Sequence, residues 1–175
     1  MKQNKDALLV IDMQNVYLKP NKWACMHMKK TIDYIENIIK TFNKEDIFFT
    51  QFIANRNDGT WNKYNEENKD IIDNNYLNDY VNELKRYLND DNLYTKSTYS
   101  CLKNTELYNK LKSYDNVYVT GVVAECCVLS TIFDLIDMGK KVIYLKRGIS
   151  SISTENEKSV LKILEDLSPL HILFK

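Results

Sequence analysis

Short segments rich in Val, Ile, Leu and aromatic residues alternate along this chain with segments of helical periodicity. Ala7–Asp12 is an apolar run, whereas Thr31–Phe42 places apolar residues at positions 32, 35, 38, 39 and 42, the spacing of one helix face. Repeated β–α units favour a parallel sheet with helices packed on both faces. We therefore predict an α/β protein with a three-layer, Rossmann-like sandwich.

The same patterns assign the remaining elements. Further strands are predicted over Asp46–Ile53, Asn92–Lys96, Val117–Thr120, Lys141–Leu145 and His171–Phe174. Further helices are predicted over Tyr80–Leu88, Thr105–Leu111, Glu125–Met138 and Thr154–Leu167. In the last helix, Thr154 and Glu157 have the spacing of a capping box. The asparagine-rich stretch Asn55–Asp79 is predicted to be a long loop with one short helix, of the kind that often shapes a binding site.

Length and charge narrow the classes of protein that the chain can represent. Its 175 residues are expected to form one domain, 1–175, with a substantial core. Lysine plus arginine equals aspartate plus glutamate, at 24 each, and no basic patch dominates. Nucleic acid and membrane surfaces are therefore not expected partners. The four glycines form no phosphate-binding loop, so we expect no nucleotide cofactor.

The cysteines and histidines give no sign of a metal site. The four cysteines form no paired C-x-x-C motif, and His27 and His171 lie far apart in the sequence. The first apolar run is too short for a signal peptide, and no stretch approaches about 18 apolar residues. We expect a cytoplasmic protein with reduced cysteines and no metal.

Three predicted strands end in residues that carry chemistry. Asp12 directly follows an apolar strand, where a carboxylate can act as a general base, although Asp is also a common cap. Lys96 closes another strand and can stabilise negative charge, or can simply extend to the surface. Cys127 follows the Val117 strand at a predicted helix start, although free cysteines are often plain core residues.

The position of Cys127 suggests a nucleophile. Free N–H groups and partial positive charge at a helix start favour thiolate over thiol, and the thiolate is the reactive form. Because the carboxyl ends of parallel strands meet at one edge of a sheet, all three side chains are expected to meet. Asp12 would take the thiol proton, Lys96 would orient Asp12, and Cys127 would attack a carbonyl carbon.

The segments around these three residues resemble the isochorismatase-like cysteine hydrolases, a superfamily that includes nicotinamidases. The segments that carry the resemblance are Leu9–Asn15 with its Asp, Lys96–Ser100 followed by Thr105–Leu107, and Gly121–Val128 followed by Thr131 and Gly139. The cysteine of the family lies six residues after the glycine. That spacing selects Cys127 rather than Cys126.

The resemblance implies a six-stranded parallel sheet and an Asp12–Lys96–Cys127 catalytic triad. It also implies a cis peptide bond between Val122 and Val123, with the backbone N–H groups of Val123 and Cys127 as the oxyanion hole. It further implies a homo-oligomer, either a dimer or a tetramer. Gln14, Tyr17 and Trp61 are candidates to line the substrate pocket, and core packing is an equal alternative for the two aromatic residues.

Several positions depart from the pattern of the family. No histidine follows the second strand in Thr50–Arg56, which disfavours a metal-dependent nicotinamidase. Ala124, Arg147 and Val16 replace a common Thr and two commonly acidic residues. Arg147 could recognise an acidic group of a substrate or could pair on the surface.

The leading hypothesis is a hydrolase of a small amide or ureido metabolite that works through a thioester. The alternative is a metabolite-binding or redox-responsive member of the same fold without turnover, which the neighbouring Cys126 suggests. Since adjacent helical residues face different ways, Cys126 is expected to be a core residue.

Overall fold

Six parallel strands form a single sheet in the order β3-β2-β1-β4-β5-β6. The structure is a computed structural model that describes residues 4–54 and 59–175. The strands are β1 (Asp6–Ile11), β2 (Ile47–Phe52), β3 (Leu93–Lys96), β4 (Asn116–Gly121), β5 (Lys141–Ile149) and β6 (Ile172–Phe174). The prediction of a six-stranded parallel α/β sheet is confirmed.

Helices cover both faces of the sheet. They are α1 (Met28–Ile39), α2 (Thr60–Glu67), α3 (Lys69–Ile72), α4 (Asn75–Asn78), α5 (Asn82–Lys85), α6 (Thr105–Leu111), α7 (Leu129–Asp137) and α8 (Thr154–Glu165). Buried side chains of α6, α7 and α8 pack on one face, and those of α1, α3 and α5 pack on the other. No helix in the described ranges is long and apolar enough to cross a membrane.

The central strand β1 shows why the sequence folds in this way. Ala7, Leu9 and Ile11 belong to the core on the α6–α7–α8 side, whereas Leu8 and Val10 belong to the core on the α1 side. Successive side chains of a strand point to opposite faces, so a continuous apolar run is required when both faces are covered. All five residues are fully buried.

The asparagine-rich segment is more ordered than the sequence indicates. From Gly59 onward it contains α2, α3 and α4, whereas residues 55–58 of the predicted loop lie outside the described residues. The Asn74 side chain accepts a hydrogen bond from the backbone N–H of Leu77, and the Asn78 amide donates to the Ile71 and Ile72 carbonyls. These bonds from side chain to backbone stabilise short helices that apolar periodicity does not reveal.

Other predicted bounds are also wrong. The helix predicted over Tyr80–Leu88 is the single turn α5, and the helix predicted from Glu125 becomes an α-helix at Leu129. The cap of α8 is Ser153, whose hydroxyl accepts a hydrogen bond from the Asn156 N–H, rather than Thr154. Strand β5 continues past Leu145 to Ile149, so Arg147 lies within the strand. The Arg147 side chain is exposed and its guanidinium lies 5.1 Å from the centre of the Tyr34 ring, which favours the surface role.

Gly121 is the last residue of β4 and lies directly against the backbone at the end of β1. Its φ of +112° lies outside the range that other residues adopt readily, and a Cβ atom there would collide with the backbone of Ile11. The missing side chain lets the ends of β1 and β4 come together. The turn that follows Gly121 therefore lies beside the end of β1.

Candidate active site

The candidate site lies where the order of strands in the sheet reverses, between β1 and β4. Ligands of open α/β sheets bind beyond the carboxyl ends of the strands at such a point. Asp12 directly follows β1 and Lys96 is the last residue of β3. Cys127 lies in the wide helical turn Ala124–Val128 between β4 and α7. The structure brings these three side chains together.

Lys96 is the centre of the cluster. Its Nζ lies 2.6 Å from Oδ2 of Asp12 and donates to Sγ of Cys127 at 3.3 Å. The same ammonium donates to the carbonyl of Thr98 at 2.9 Å. The side chains of Lys96 and Asp12 are 1% and 0% exposed. A buried charge must be paired to be tolerated, and this ammonium is held by three partners.

Thr50 of β2 holds the Asp12 carboxylate, and sequence reasoning missed it. Its hydroxyl donates to Oδ1 of Asp12 at 2.7 Å, and the Asp12 N–H donates to the Thr50 carbonyl at 3.0 Å. Asp12 has a φ of +51°, a left-handed conformation that Asp adopts more readily than most residues. The only sequence signal was a threonine inside the apolar run of β2, beside the strand that precedes Asp12.

Burial at the site opposes the thiolate form of Cys127 that a helix start was expected to favour. Burial and the negative charge of Asp12 raise the pKa of Cys127, and Lys96 offsets only part of this effect. For Lys96, burial acts to lower the pKa, but the charges of Asp12 and Cys127 reverse that effect and raise it. At neutral pH the cluster therefore holds a thiol beside an ammonium and a carboxylate that lies within hydrogen-bonding reach of the thiol.

The backbone after β4 turns sharply beside the cysteine. The Val122–Val123 peptide bond is cis. The N–H of Val122 donates to the Ile11 carbonyl, and the N–H of Val128 donates to the Val123 carbonyl at 3.1 Å. These bonds fix the turn that carries Val123 and Cys127, the two residues expected to supply oxyanion donors.

A cavity of about 190 Å³ opens beside Cys127. Tyr17 and Trp61 line it, as the sequence suggested for the pocket. Gln14 does not line it: the amide is buried, donates to the Phe52 and Asn78 carbonyls and accepts from the Phe52 N–H, so it joins β2 to the α4 region. Two larger open grooves of about 890 Å³ lie along α1, and no residue of the triad lines them.

Cys126 packs against both core clusters, as expected of a core residue, but it also reaches the cavity. Cys126 is half-buried and lines the same cavity as Cys127. The wide turn Ala124–Val128 has a different residue spacing from an α-helix, which allows both neighbours to reach the cavity. Burial and the charge of Glu125 raise the pKa of Cys126, so this thiol is also neutral at pH 7.

The residues after β2 do not suit a metal ion. Ile53 and Ala54 have no side-chain atom that could bind a metal, and within the described ranges no group of His, Cys, Asp or Glu is arranged to hold one. Residues 55–56 of the segment Thr50–Arg56, where the sequence lacks a histidine, lie outside the described residues. No step of the chemistry is therefore assigned to a metal.

Solved structures share this fold over almost the whole chain. An isochorismatase-like hydrolase from Alkaliphilus metalliredigens has a TM-score of 0.74 and 24% identity, covering 98% of this chain and 93% of that one. Pyrazinamidase of Pyrococcus horikoshii, in complex with zinc, has a TM-score of 0.77 and 21% identity over 98% of each chain. A cysteine hydrolase from Pseudomonas syringae pv. phaseolicola has a TM-score of 0.79 and 18% identity, covering 96% of this chain and 87% of that one.

Comparison with curated proteins finds no match. The family model of the isochorismatase domain matches residues 6–169, a range that begins at the first residue of β1 and includes Asp12, Lys96 and Cys127. That range covers nearly the whole chain and agrees with the parallel sheet and with the relatives of known structure. The chain belongs to the isochorismatase family of hydrolases.

Proposed function

We propose that this protein hydrolyses a small carboxamide or ureido compound, with Cys127 as the nucleophile and Asp12 and Lys96 as its partners. The observation that carries the proposal is the contact of one buried ammonium with both other groups, 2.6 Å from the Asp12 carboxylate and 3.3 Å from the Cys127 sulfur. A buried acid–base–thiol cluster beside a cavity suits acyl transfer.

In the first half-reaction, the Cys127 sulfur attacks the amide carbon while its proton passes to Asp12. A neutral thiol beside a carboxylate needs this transfer, because the raised pKa of Cys127 keeps the resting thiol protonated. The C–N bond then breaks, Asp12 returns the proton to the leaving nitrogen, and ammonia or an amine departs. The N–H groups of Val123 and Cys127 stabilise the negative oxygen of the intermediate.

In the second half-reaction, water attacks the thioester carbon. Asp12 accepts one proton from the water, the new C–O bond forms, and the C–S bond breaks. The proton returns to the sulfur, which restores the thiol and releases a carboxylic acid. Lys96 stays protonated throughout, because its raised pKa keeps it an ammonium, and it balances the charge that moves between Asp12 and Cys127.

The relatives support amide chemistry. One is named for the hydrolysis of pyrazinamide, and another is named a cysteine hydrolase. At 21% and 18% identity these likenesses establish the fold, so the reaction remains a proposal for this chain.

Ammonia release from a panel of small amides tests the proposal. The wild-type protein, Cys127→Ala and Cys126→Ala are compared on each amide. Cys126 is the matched control, because it is an adjacent cysteine that lines the same cavity. We expect turnover in the wild type and in Cys126→Ala and none in Cys127→Ala. Undiminished turnover in Cys127→Ala would refute the mechanism.

A second candidate is a redox-responsive protein, favoured by the opening of Cys126 and Cys127 into one cavity. Hydrogen peroxide would oxidise a thiol to a sulfenic acid and be reduced to water. The raised pKa of both thiols, caused mainly by burial, opposes this role because the thiolate is the reactive form. Mass mapping after peroxide treatment decides: oxidation of Cys127 no greater than that of buried Cys25 eliminates the candidate.

We also propose a dimer or tetramer, on the family resemblance alone. Light scattering of the purified protein measures its mass in solution. A mass of one chain, 20.6 kDa, would contradict this proposal.

A further inference from the structure

We propose that the substrate amide carries a compact alkylated ammonium group, such as trimethylammonium, which binds among the aromatic rings of the cavity beside Cys127. The inference rests on the proposed function, because it names the part of the substrate that does not react. It is carried by ring geometry and by a carboxylate on the cavity wall that forms no ion pair with any of residues 4–54 and 59–175.

The rings of the cavity are arranged as a box rather than as a slot. The Trp61 and Tyr64 ring planes meet at 83° with centres 5.6 Å apart, and those of Trp61 and Tyr99 meet at 59° with centres 5.1 Å apart. Rings that meet at such angles form corners of the cavity, and a rounded group fits a corner better than a flat ring does. Aromatic boxes of this kind bind quaternary ammonium groups through the negative faces of the rings.

A slot for a flat ring would need two parallel aromatic rings with a gap between them. The two near-parallel pairs of this cavity are already in contact: Trp23 and Tyr64 have centres 6.0 Å apart, and Tyr17 and Trp23 have centres 6.3 Å apart. At those separations the rings stack on each other, so no flat substrate fits between them. The geometry therefore favours a rounded group over a planar one.

Glu125 supplies the complementary charge. It lines the cavity and is half-buried, and its carboxylate accepts hydrogen bonds from the Ser151 hydroxyl at 2.7 Å and the Asn156 amide at 2.8 Å. The backbone N–H of Ile152 is a third donor, at 3.3 Å. All three donors are neutral, and no ion pair of the described residues includes Glu125. Its negative charge therefore remains available to a bound cation, and burial strengthens that attraction.

Lys22 is the one opposing charge on the cavity lining among the described residues other than the triad. Its side chain is exposed, and its ammonium donates to the Asn68 side-chain oxygen at 2.9 Å, so it lies at the solvent edge. Water screens a charge at that position more than one on the half-buried wall. The half-buried Glu125 carboxylate is therefore the less screened of the two charges on the cavity lining, and removal of the Lys22 charge should strengthen cation binding.

A matched pair of amides tests the proposal. Trimethylammonioacetamide and 3,3-dimethylbutanamide have the same shape and differ by the replacement of a charged nitrogen with carbon. Calorimetry on the full-length Cys127→Ala protein measures the Kd of each without turnover, and ammonia release by wild-type protein measures hydrolysis. We expect the cationic amide to bind at least about tenfold more tightly than its neutral isostere.

Variants in the Cys127→Ala background test whether the preference for the cationic amide depends on the ring box and on the charges beside it. Trp61→Leu should abolish the preference for the cationic amide. Glu125→Gln should weaken binding of the cationic amide several-fold and Lys22→Gln should strengthen it about twofold, and these two variants should have little effect on the neutral amide. Tyr76→Leu is the control, because Tyr76 is an aromatic residue that is 66% exposed and does not line the cavity.

The outcomes separate this inference from the proposed function. Equal binding of the two amides, or binding of neither, overturns the ring-box proposal, and Cys127-dependent hydrolysis of the neutral amide would then still uphold the function. Tight, Trp61-dependent binding of the cationic amide without hydrolysis of either compound upholds the ring box and counts against the proposed function.

Discussion

Oδ2 of Asp12 lies 2.6 Å from Nζ of Lys96, and both side chains are essentially without contact with solvent. The two residues come from the ends of strands β1 and β3, which are separated in the sheet by β2. The pair therefore joins two strands that are not neighbours in the sheet. It places an ammonium and a carboxylate in a site without solvent, next to Cys127. Such an arrangement makes the electrostatics of each partner depend strongly on the others.

Replacing Asp12 with Asn should separate thiol reactivity from turnover. Loss of the carboxylate removes a charge that raises the pKa of Cys127 and leaves Lys96, which lowers it, so the thiol pKa falls. Alkylation of Cys127 by iodoacetamide at pH 7 should accelerate, whereas amide turnover should fall at least about 100-fold through loss of the base. Peptide mapping of alkylation across pH and ammonia release measure the two effects.

The control for that variant is Asp90→Asn, since Asp90 is exposed and remote from the cavity. It should change neither the alkylation profile nor turnover. Slower alkylation of Cys127 in Asp12→Asn than in the wild type would show that Asp12 does not raise the thiol pKa.

Replacing Lys96 with Met should destabilise the fold by about 3–5 kcal/mol, because it leaves the Asp12 carboxylate buried without its partner. The double variant Asp12→Asn/Lys96→Met removes both charges and should recover most of that stability. Urea unfolding gives the free energy of each protein, and Lys158→Met on the exposed surface of α8 is the control. A double variant no more stable than Lys96→Met would contradict a buried ion pair.

Stability should fall as pH rises through the range from about 8 to 9. Burial raises the pKa of all four thiols, Cys25, Cys101, Cys126 and Cys127, and that of Cys101 moves from 9.0 to about 12. The unfolded thiols begin to lose protons at about pH 8 while the folded ones keep them, so the stabilisation present below pH 8 is lost above it. Each thiol contributes a slope of up to about 1.4 kcal/mol per pH unit.

Urea unfolding at several pH values measures that slope. The window ends at about pH 9 because tyrosine and lysine, with ordinary pKa values of 10.0 and 10.5, begin to titrate in the unfolded chain above it. Cys101→Ala should reduce the slope by about one quarter, because four thiols contribute to it, whatever its effect on stability at pH 7. A slope unchanged by that variant would contradict a buried neutral thiol at position 101.

Thr50→Val should impair the site through Asp12. The substitution keeps the shape of the side chain but leaves Oδ1 of Asp12 without its 2.7 Å donor, at a cost of about 1–3 kcal/mol in stability. Turnover should fall about tenfold because Asp12 is less firmly held. Thr95→Val in β3 is the control, since Thr95 is exposed. Equal turnover in both variants and the wild type would show that Thr50 does not position Asp12.

The parts of the fold that follow from local periodicity were predictable. Helix α6 matches its predicted bounds at Thr105 and Leu111, and its first turn is capped by Asn104, a preferred residue at that position. The meeting of Asp12, Lys96 and Cys127 was also predictable, because parallel strands bring their carboxyl ends to one edge of the sheet.

Features that depend on tertiary neighbours were not predictable. Helices α3 and α4 are held by Asn side chains that bond to the backbone, so they leave no apolar pattern in the sequence. The protonation of Cys127 depends on how deeply it is buried and on the charge of Asp12, neither of which a helix-start argument contains. The role of Thr50 depends on its neighbour across the sheet.

Mass mapping of rapidly quenched turnover mixtures tests the central claim most directly. Wild-type protein is mixed with an amide that it hydrolyses, and the mixture is quenched in acid and digested. Cys126→Ala is treated in the same way. We predict an acyl group, lost on treatment with hydroxylamine, on the peptide that contains Cys127 in both proteins. Turnover with no acyl group on Cys127, together with undiminished turnover in Cys127→Ala, would contradict the thioester mechanism.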